Sequence, residues 1–267
     1  MIRHLLQLIW NQRKQNAWLW AELLLVSVFL WFLVDYLYVM GRTYTAPLGF
    51  DIRHTYSIVI SSLSERSPDY IPKEKRERPD GVHLLTALDR IRTYPGVESA
   101  CLTDGGMPYY MGSRNLVWRI DTLQVPCRYA FVTPEFFDVF RIYDKDGKTA
   151  SLKRAIEDNN SIVISADVET MNPGLSLLGQ KAYRGNVTDE IEETIRGISV
   201  PIRRHEYTKA EPNVYRALRL SRMEEGYYEG MIDAVRLCVR VRPDVDNADF
   251  PTRFRKDMAE QLRLGNL

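Results

Sequence analysis

The side chains that could do chemistry are few and poorly grouped. His4, His54, His83 and His205 are scattered, and none falls in HExxH or in a cluster with metal-ligand spacing. Asp144-Lys145-Asp146-Gly147 begins like a calcium loop, in which carboxylates at alternate positions bind the ion. It lacks the third ligand position, its glycine comes early and no bidentate Glu stands at the required offset, so a plain turn is expected. Ser61, Ser161 and Ser165 lack the GxSxG setting that presents a nucleophile on a strand-to-helix turn. There is no GxxxxGK followed by Ser or Thr, so the chain carries no P-loop, and Asp104-Gly105-Gly106 is a tight turn without GxGxxG. The basic run VPIRRHEY, Val200 to Tyr207, alternates like a strand with one solvated face, a reading preferred over phosphate binding. Cys101, Cys127 and Cys238 are far apart and lie in apolar runs. Buried free thiols are expected, with one disulfide as the alternative. These residues point to no catalytic, metal or cofactor site.

The elements that would position them begin with an apolar stretch. Residues 17–40 contain two charged side chains, Glu22 and Asp35, and a membrane-spanning helix needs about 20 predominantly apolar residues. Trp18, Trp20, Tyr36 and Tyr38 flank the stretch, where such rings favour the headgroup layer. Arg3, Arg13 and Lys14 precede it without an acidic residue, which places the N-terminus in the cytoplasm and the rest of the chain outside. No small-residue cleavage site follows Asp35, so an uncleaved anchor is expected. Glu22 and Asp35 are about 20 Å apart along a helix and point to different faces, as interfacial residues would. Packing against other spans, with Ser27 as a small polar contact, is the alternative. In residues 1–16, Ile2, Leu5, Leu6 and Ile9 share one helical face, which suits an amphipathic segment on the cytoplasmic surface; a basic tail is the alternative.

The remainder is long enough for one large domain or two small ones. It is close to electrically neutral, because the whole chain carries +1, which excludes the electrostatic footprint of a nucleic-acid binder. Thr55 to Leu63 is strand-like, Ser64 to Gly81 is a charged, proline-containing loop, and Val82, Leu84, Leu85, Leu88 and Ile91 form a helical stripe. VESACLTD then returns as a strand, giving a strand–helix–strand unit. Asp233 to Pro243 is a second such strand. A helix follows it, with Asp246 or Asn247 as N-cap and Phe250, Phe254, Met258 and Leu262 at period four. A closing strand should come next, so the sequence is expected to end before its fold closes. Between the two units, NLVWRID, VPCRYAFV, NSIVISA, QKAYRG, IRGISVPIRR and YRALRL signal short strands, while TPEFFDVF and SADVETMN signal helices. The expected fold class is α+β: a transmembrane helix (17–40), a first half-domain (41–104), an inserted β-rich subdomain (105–231) and a second half-domain (232–267).

Several segments, taken in order, resemble the MacB-like, FtsX-like permeases of ABC transporters. They are GFDIRHTYSIVIS (49–61), LLTALDRIRTYPGVESACLT (84–103), YAFVTPEFFDVFRI (129–142), NNSIVISADVETM (159–171), SLLGQKAYRG (176–185) and IRGISVPIRRHEYTKAEPNVYRAL (195–218). The resemblance implies an elbow helix, a first span and a periplasmic porter-like domain of two βαβ units around a β-rich insert. Three further spans would follow in such a permease, and this sequence lacks them and the last porter strand. It also implies mechanotransmission. A separate cytoplasmic ATPase would dimerise on ATP, two permease copies would move together, and the periplasmic domains would rearrange for export or efflux, with a periplasmic adaptor as a further partner. The chain would be no enzyme and would bind no cofactor or nucleic acid; it would sit in the lipid bilayer of a bacterial inner membrane. Function would then rest on surfaces. Tyr109, Tyr110, Tyr227 and Tyr228, in the glycine-flanked turns MPYYMG and GYYEG, are candidate contact residues, since tyrosine is enriched at interfaces; local packing is the alternative. A single-span ligand-binding sensor or scaffold is the competing class. Against the sensor stand the 16 residues before the span, too few for a signalling domain. An anchored hydrolase is a third reading, and it lacks a convergent set of catalytic side chains.

Overall fold

A computed structural model of the chain describes residues 17–60, 63–110, 112, 114–184, 190–226 and 234–259, with residues 3, 7, 10 and 14 before them. The amphipathic face expected over residues 1–16 lies outside the described residues. The chain divides into two compact units: Met1–Pro47 with Glu206–Thr208, and Leu48–His205 with Lys209–Leu267.

The first unit is a helix, α1, running from Ala17 to Thr45. Its 29 residues extend about 43 Å at 1.5 Å per residue. It outruns the expected 17–40, and in its last turn the Thr45 hydroxyl donates to the Gly41 carbonyl at 3.0 Å. A helix apolar all round needs an apolar environment. Among the described residues none of α1 is buried, and the helix is long and apolar enough to cross a membrane. Within this unit the rings of Tyr44 and Tyr207 lie 5.7 Å apart.

The second unit mixes helix and sheet. Its strands are β1 (Thr55–Ile58), β2 (Val97–Asp104), β3 (Asn115–Ile120), β4 (Leu123–Val132), β5 (Ser161–Ser165), β6 (Lys181–Arg184), β7 (Ile191–Ser199), β8 (Asn213–Ala217) and β9 (Val235–Val241). Its helices are α2 (Asp80–Arg92), α3 (Phe136–Val139), α4 (Ala150–Glu157), α5 (Asp167–Met171), α6 (Leu220–Glu224) and α7 (Phe250–Met258). β9 is central to a three-stranded sheet, flanked by β1 and β2 and antiparallel to both. The other six strands close into a ring in the order β4-β3-β6-β7-β5-β8, completed by a parallel β8–β4 pairing. β4 joins the two assemblies, because its last residues, Phe131 and Val132, also pair with β2.

Alternation along the strands sets three cores. On one face of the central sheet, Ala100, Leu102, Leu237 and Val239 pack with Leu84, Leu88 and Ile91 of α2 and Phe250, Phe254 and Met258 of α7. On the other face, Cys101 and Cys238 pack with Phe136, Phe137 and Val139 of α3 and with Leu152 and Ile156 of α4. Trp118, Ile120, Cys127, Ile162, Ile164, Ile195 and Val214 fill the ring. The three cysteines are all buried.

Four local expectations are corrected. VPIRRHEY is not a strand: β7 stops at Ser199, and Ile202 and Arg203 are both buried, so alternation is lost. The backbone there serves other partners, with the Arg203 amide donating to Leu48 and the Ile202 carbonyl accepting from Asn213. The strand expected over Thr55 to Leu63 ends at Ile58. The N-cap of α7 is Asp249, with Pro251 in the first turn, and neither Asp246 nor Asn247 holds that position. Finally, α4 and α6 are helices that the sequence reading did not contain. The DKDG segment is a turn: the Asp144 carboxylate accepts from the amides of Asp146 (2.9 Å) and Lys148 (2.8 Å) and from the Ser151 hydroxyl.

Candidate functional site: the strap that follows the apolar helix

Residues 48–54 carry the chain from α1 into the sheet, and nearly every one of them is tied down within the second unit. The Leu48 carbonyl accepts from the Arg203 amide at 3.0 Å. Gly49 has φ +83°, and a Cβ on it would lie 2.1 Å from the Pro201 carbonyl oxygen, so no other residue fits without moving the backbone. The Phe50 ring meets the Tyr109 ring edge-on at 5.9 Å. The Asp51 amide donates to the Phe140 carbonyl at 2.8 Å. The His54 carbonyl accepts from the Val241 amide at 2.8 Å and extends the β1–β9 ladder.

The strongest tie is Arg240, on β9. Its side chain is fully buried, yet it makes no ion pair within 4.0 Å of a described carboxylate. Its guanidinium instead donates from Nε to the Val139 carbonyl (2.7 Å), from Nη1 to the Arg53 carbonyl (2.8 Å) and from Nη2 to the Asp51 carbonyl. The fixed fork of the guanidinium suits this arrangement. One carbonyl belongs to the last residue of α3, which has no partner inside its own helix, and the other two belong to the strap. Burial pulls the Arg240 pKa down and nearby Arg141 adds to this, while Asp51 opposes it. Asp51 itself is raised by burial but lowered overall, because the Arg53 side chain and amide both donate to its carboxylate.

The far end of the strap is fixed by Asp246. The His54 Nδ1–H donates to its Oδ2 at 2.6 Å and the Tyr56 hydroxyl donates to its Oδ1. The Tyr56 bond comes first in lowering the Asp246 pKa, and the same bond pushes the Tyr56 phenol up to about 12. His54 holds φ +58°, a left-handed conformation uncommon outside glycine. This constellation is built to hold. Both carboxylate oxygens are engaged. Among the described residues there is no group of three or more His, Cys, Asp or Glu side chains that could hold a metal.

The structure brings one of the sequence-nominated residues to this site. Tyr109 is half-exposed, has φ +60°, packs on Phe50 and donates its amide to the Arg204 carbonyl at 3.1 Å. Tyr110 is partly buried beside Gly112. Tyr227 and Tyr228 lie outside the described residues. Glu22, Ser27 and Asp35 are exposed on α1, away from the strap in sequence. The sequence reading missed Arg240, Gly49 and the role of Asp246. A usable signal for the first was VRLCVRV: a cysteine and two arginines share one face of that strand, and a cysteine there speaks for a covered face.

Beside the strap, an apolar groove of about 410 Å³ runs between β1 and α7, lined by Tyr56, Ile58, Val239, Phe250, Phe254 and Met258. β1 is an edge strand along this groove.

No protein-family model matches the chain, and no curated protein matches it. Solved structures do. A domain named as part of a permease protein from Porphyromonas gingivalis aligns with 19% identity over 67% of this chain and 68% of that one, at a TM-score of 0.49. The periplasmic region of MacB from Actinobacillus actinomycetemcomitans aligns with 9% identity over 84% and 91%, at 0.46. The extracellular domain of YknZ, a noncanonic ABC-type transporter of Gram-positive bacteria, aligns with 12% identity over 78% and 92%, at 0.46. Likenesses at this level carry no residue-by-residue correspondence.

Proposed function

We propose that this chain is the first span and extracytoplasmic domain of an ABC transporter permease subunit of the MacB-like, FtsX-like kind that its sequence segments resemble. In this reading it lies in a bacterial inner membrane with its N-terminus in the cytoplasm. A separate ATPase supplies the energy, a second permease copy completes the assembly, and the chain passes movement outward for export or efflux. The observation that carries the reading is the strap. A force arriving along the chain from α1 meets a segment locked by a buried arginine, a glycine contact and a shared carboxylate, so displacement reaches β9 and α3 with little slack. A flexible tether would lack these ties. Such a design suits mechanical coupling and needs no catalytic group.

In the same reading β1-α2-β2 and β9-α7 are two porter-like halves, and residues 105–231 are an insert between them. Tyr109, Tyr110, Tyr227 and Tyr228 are proposed contacts for a second copy or an adaptor, and Glu22, Ser27 and Asp35 are proposed contacts between spans. The groove also favours one competing reading, in which the chain is an anchored sensor that binds an apolar ligand there.

Isolation of the tagged chain from its native membranes in mild detergent separates the two. The permease reading expects a P-loop ATPase to co-purify, and spin labels on the outer domains of two copies to change separation on adding a non-hydrolysable ATP analogue. A chain that comes alone and shows no response to nucleotide overturns it, and the groove would then be probed with apolar ligands.

A further inference from the structure

Cys101 and Cys238 stand directly opposite one another in the antiparallel register of β2 and β9. Both are fully buried and both point into the same core, the one floored by α3. Directly opposed residues in an antiparallel pair hold their Cα atoms about 4.5–5.5 Å apart. A disulfide needs about 4.4–6.8 Å, so the pair is spaced for one without movement of the backbone. The Cys238 Sγ also lies 3.6 Å from the Met107 Sδ, so its other neighbour is a thioether that cannot compete for the bond. Cys127 is different. It lies in the separate core of the six-strand ring, its Sγ 3.6 Å from the Val125 carbonyl, and no second thiol shares that core.

We propose that Cys101 and Cys238 are joined by a disulfide in the mature protein. The inference rests on the reading that places this domain outside the cytoplasm, where such bonds persist. The oxidant is a protein or small-molecule disulfide. One cysteine thiolate attacks a sulfur of that disulfide, giving a mixed disulfide and releasing one thiol. The second cysteine thiolate then displaces the oxidant's remaining half. One S–S bond forms in the protein and one is lost from the oxidant, which leaves as two thiols carrying both electrons and both protons. The step belongs to folding. In the closed core neither sulfur meets solvent, and burial, reinforced by the facing Cys238 thiol, pushes the Cys101 thiol well above its ordinary range.

The bond would act where the strap is held. Cys238 and Arg240 lie two residues apart on the same face of β9, so a bond there fixes the clamp strand to β2, which pairs at its end with β4. It would close a loop that contains the whole six-strand ring, and long loops gain most from closure in the chain-entropy account.

The full chain is recovered from cells under acid quench, alkylated, digested and analysed by mass spectrometry. The expected result is a Cys101 peptide linked to a Cys238 peptide until reductant is added, with Cys127 alkylated in the same sample. Two companion measurements separate the causes of a failure. In one, the reduced chain is refolded in detergent in a glutathione thiol–disulfide buffer. In the other, Lys145→Cys, on an exposed turn, is labelled with a membrane-impermeant maleimide on spheroplasts. An unlinked pair in cells whose Lys145→Cys variant labels from outside overturns the disulfide while the location stands. An unlinked pair in cells with the turn shielded, but linked on refolding, overturns the mature disulfide by overturning the location. Three alkylated thiols under all conditions overturn the pairing itself.

Discussion

Two buried arginines in this molecule are satisfied in opposite ways. Arg216, in the six-strand ring, donates from Nε to the Glu193 carboxylate at 2.7 Å, with Nη2 donating to the same oxygen. Arg184 approaches the second Glu193 oxygen at 3.4 Å, and the Arg216 guanidinium also lies over the Phe131 ring at 5.0 Å. The pair is charge against charge, within one closed ring. Arg240, in the central sheet, answers to three backbone carbonyls instead, two of them from a strap nearly 190 residues away in sequence. The ring sets its buried carboxylate between two arginines of its own strands. The sheet spends its arginine on joining a distant segment. The first arrangement holds strands of one ring together, and the second joins the strap to β9 and α3.

The largest expected effects break this comparison directly. Arg216→Met leaves the buried Glu193 with Arg184, at 3.4 Å, as its remaining cation, so the loss should fall toward the low end of the about 3–5 kcal/mol that stripping one member from a buried pair costs. Removing both charges, as Arg216→Met with Glu193→Met, should recover most of that loss, because apolar replacement of a whole buried pair is often near neutral. Arg240→Met strips the Asp51 carbonyl of its donor and leaves the Arg53 and Val139 carbonyls only the Thr55 hydroxyl to share, at 3.4 Å from each, a loss of about 1–3 kcal/mol for each carbonyl left unpaired where water cannot reach it. No second substitution can rescue it, since backbone carbonyls cannot be deleted. Urea unfolding of the purified chain reads both series. If the Arg240 loss is repaired by a single partner substitution, the contrast between the two arginines is wrong.

Gly49→Ala should follow, at about 1–3 kcal/mol from overpacking against Pro201, with added strain from the positive φ. The loss should be local. Amide exchange at Asp51 and Val241 should accelerate, because their bonds to Phe140 and His54 hold the strap. Amides of β3 and β7 in the ring should keep their protection. Equal acceleration in both regions would remove the distinction between strap and ring.

A smaller effect is a pH dependence confined to the strap. The folded pKa of Asp246 lies below 3.8, so its contribution is complete above the unfolded value and is lost as pH falls through the folded one. Tyr56 runs the other way. Its folded pKa is raised to about 12 from 10.0, so its contribution is complete below pH 10 and fades as pH rises through about 12. Strap protection measured by exchange should therefore be flat between about pH 4 and 10 and fall at either side. Asp246→Asn should shrink the acid edge to the part that Asp51 carries and cost about 1 kcal/mol at neutral pH.

Much of the central sheet was legible because its segments are periodic and bounded. Leu84, Leu88 and Ile91 mark α2, Pro95-Gly96 punctuates the turn after it, and VESACLTD and VRLCVRV are β-branched, apolar runs. α4 carried a readable stripe in Leu152, Ala155 and Ile156, but at eight residues behind a DKDG turn it is short enough to pass for loop. The ring was legible as a set of strands and not as a ring, since the parallel β4–β8 pairing is decided by tertiary register and not by local pattern. The site was the least legible part. An arginine on a strand normally reads as solvent-facing. Only the packing of α3 over Cys101 and Cys238 makes that face of β9 dry, and that contact joins segments about 100 residues apart. Asp246 misled for a related reason: an Asp shortly before a helix is the usual sign of a cap, and here a histidine from the strap and a tyrosine from β1 claim its two oxygens.

The smallest expected effect concerns Tyr109, and it tests whether the sequence-nominated tyrosine belongs to the strap or to an outward surface. Its ring meets Phe50 edge-on, a contact worth about 0.5–1.5 kcal/mol beyond area burial. Tyr109→Ala should raise strap exchange by roughly 3–10-fold through the lost ring pair. Because φ is +60° at this position, Tyr109→Gly should relieve backbone strain while losing the ring, and should cost less than Tyr109→Ala. A Tyr109→Ala chain whose strap is as protected as before, but whose recovery with a second copy falls, would assign the residue to an interface instead. The strap would then be held by Arg240, Gly49 and Asp246 without help from that ring.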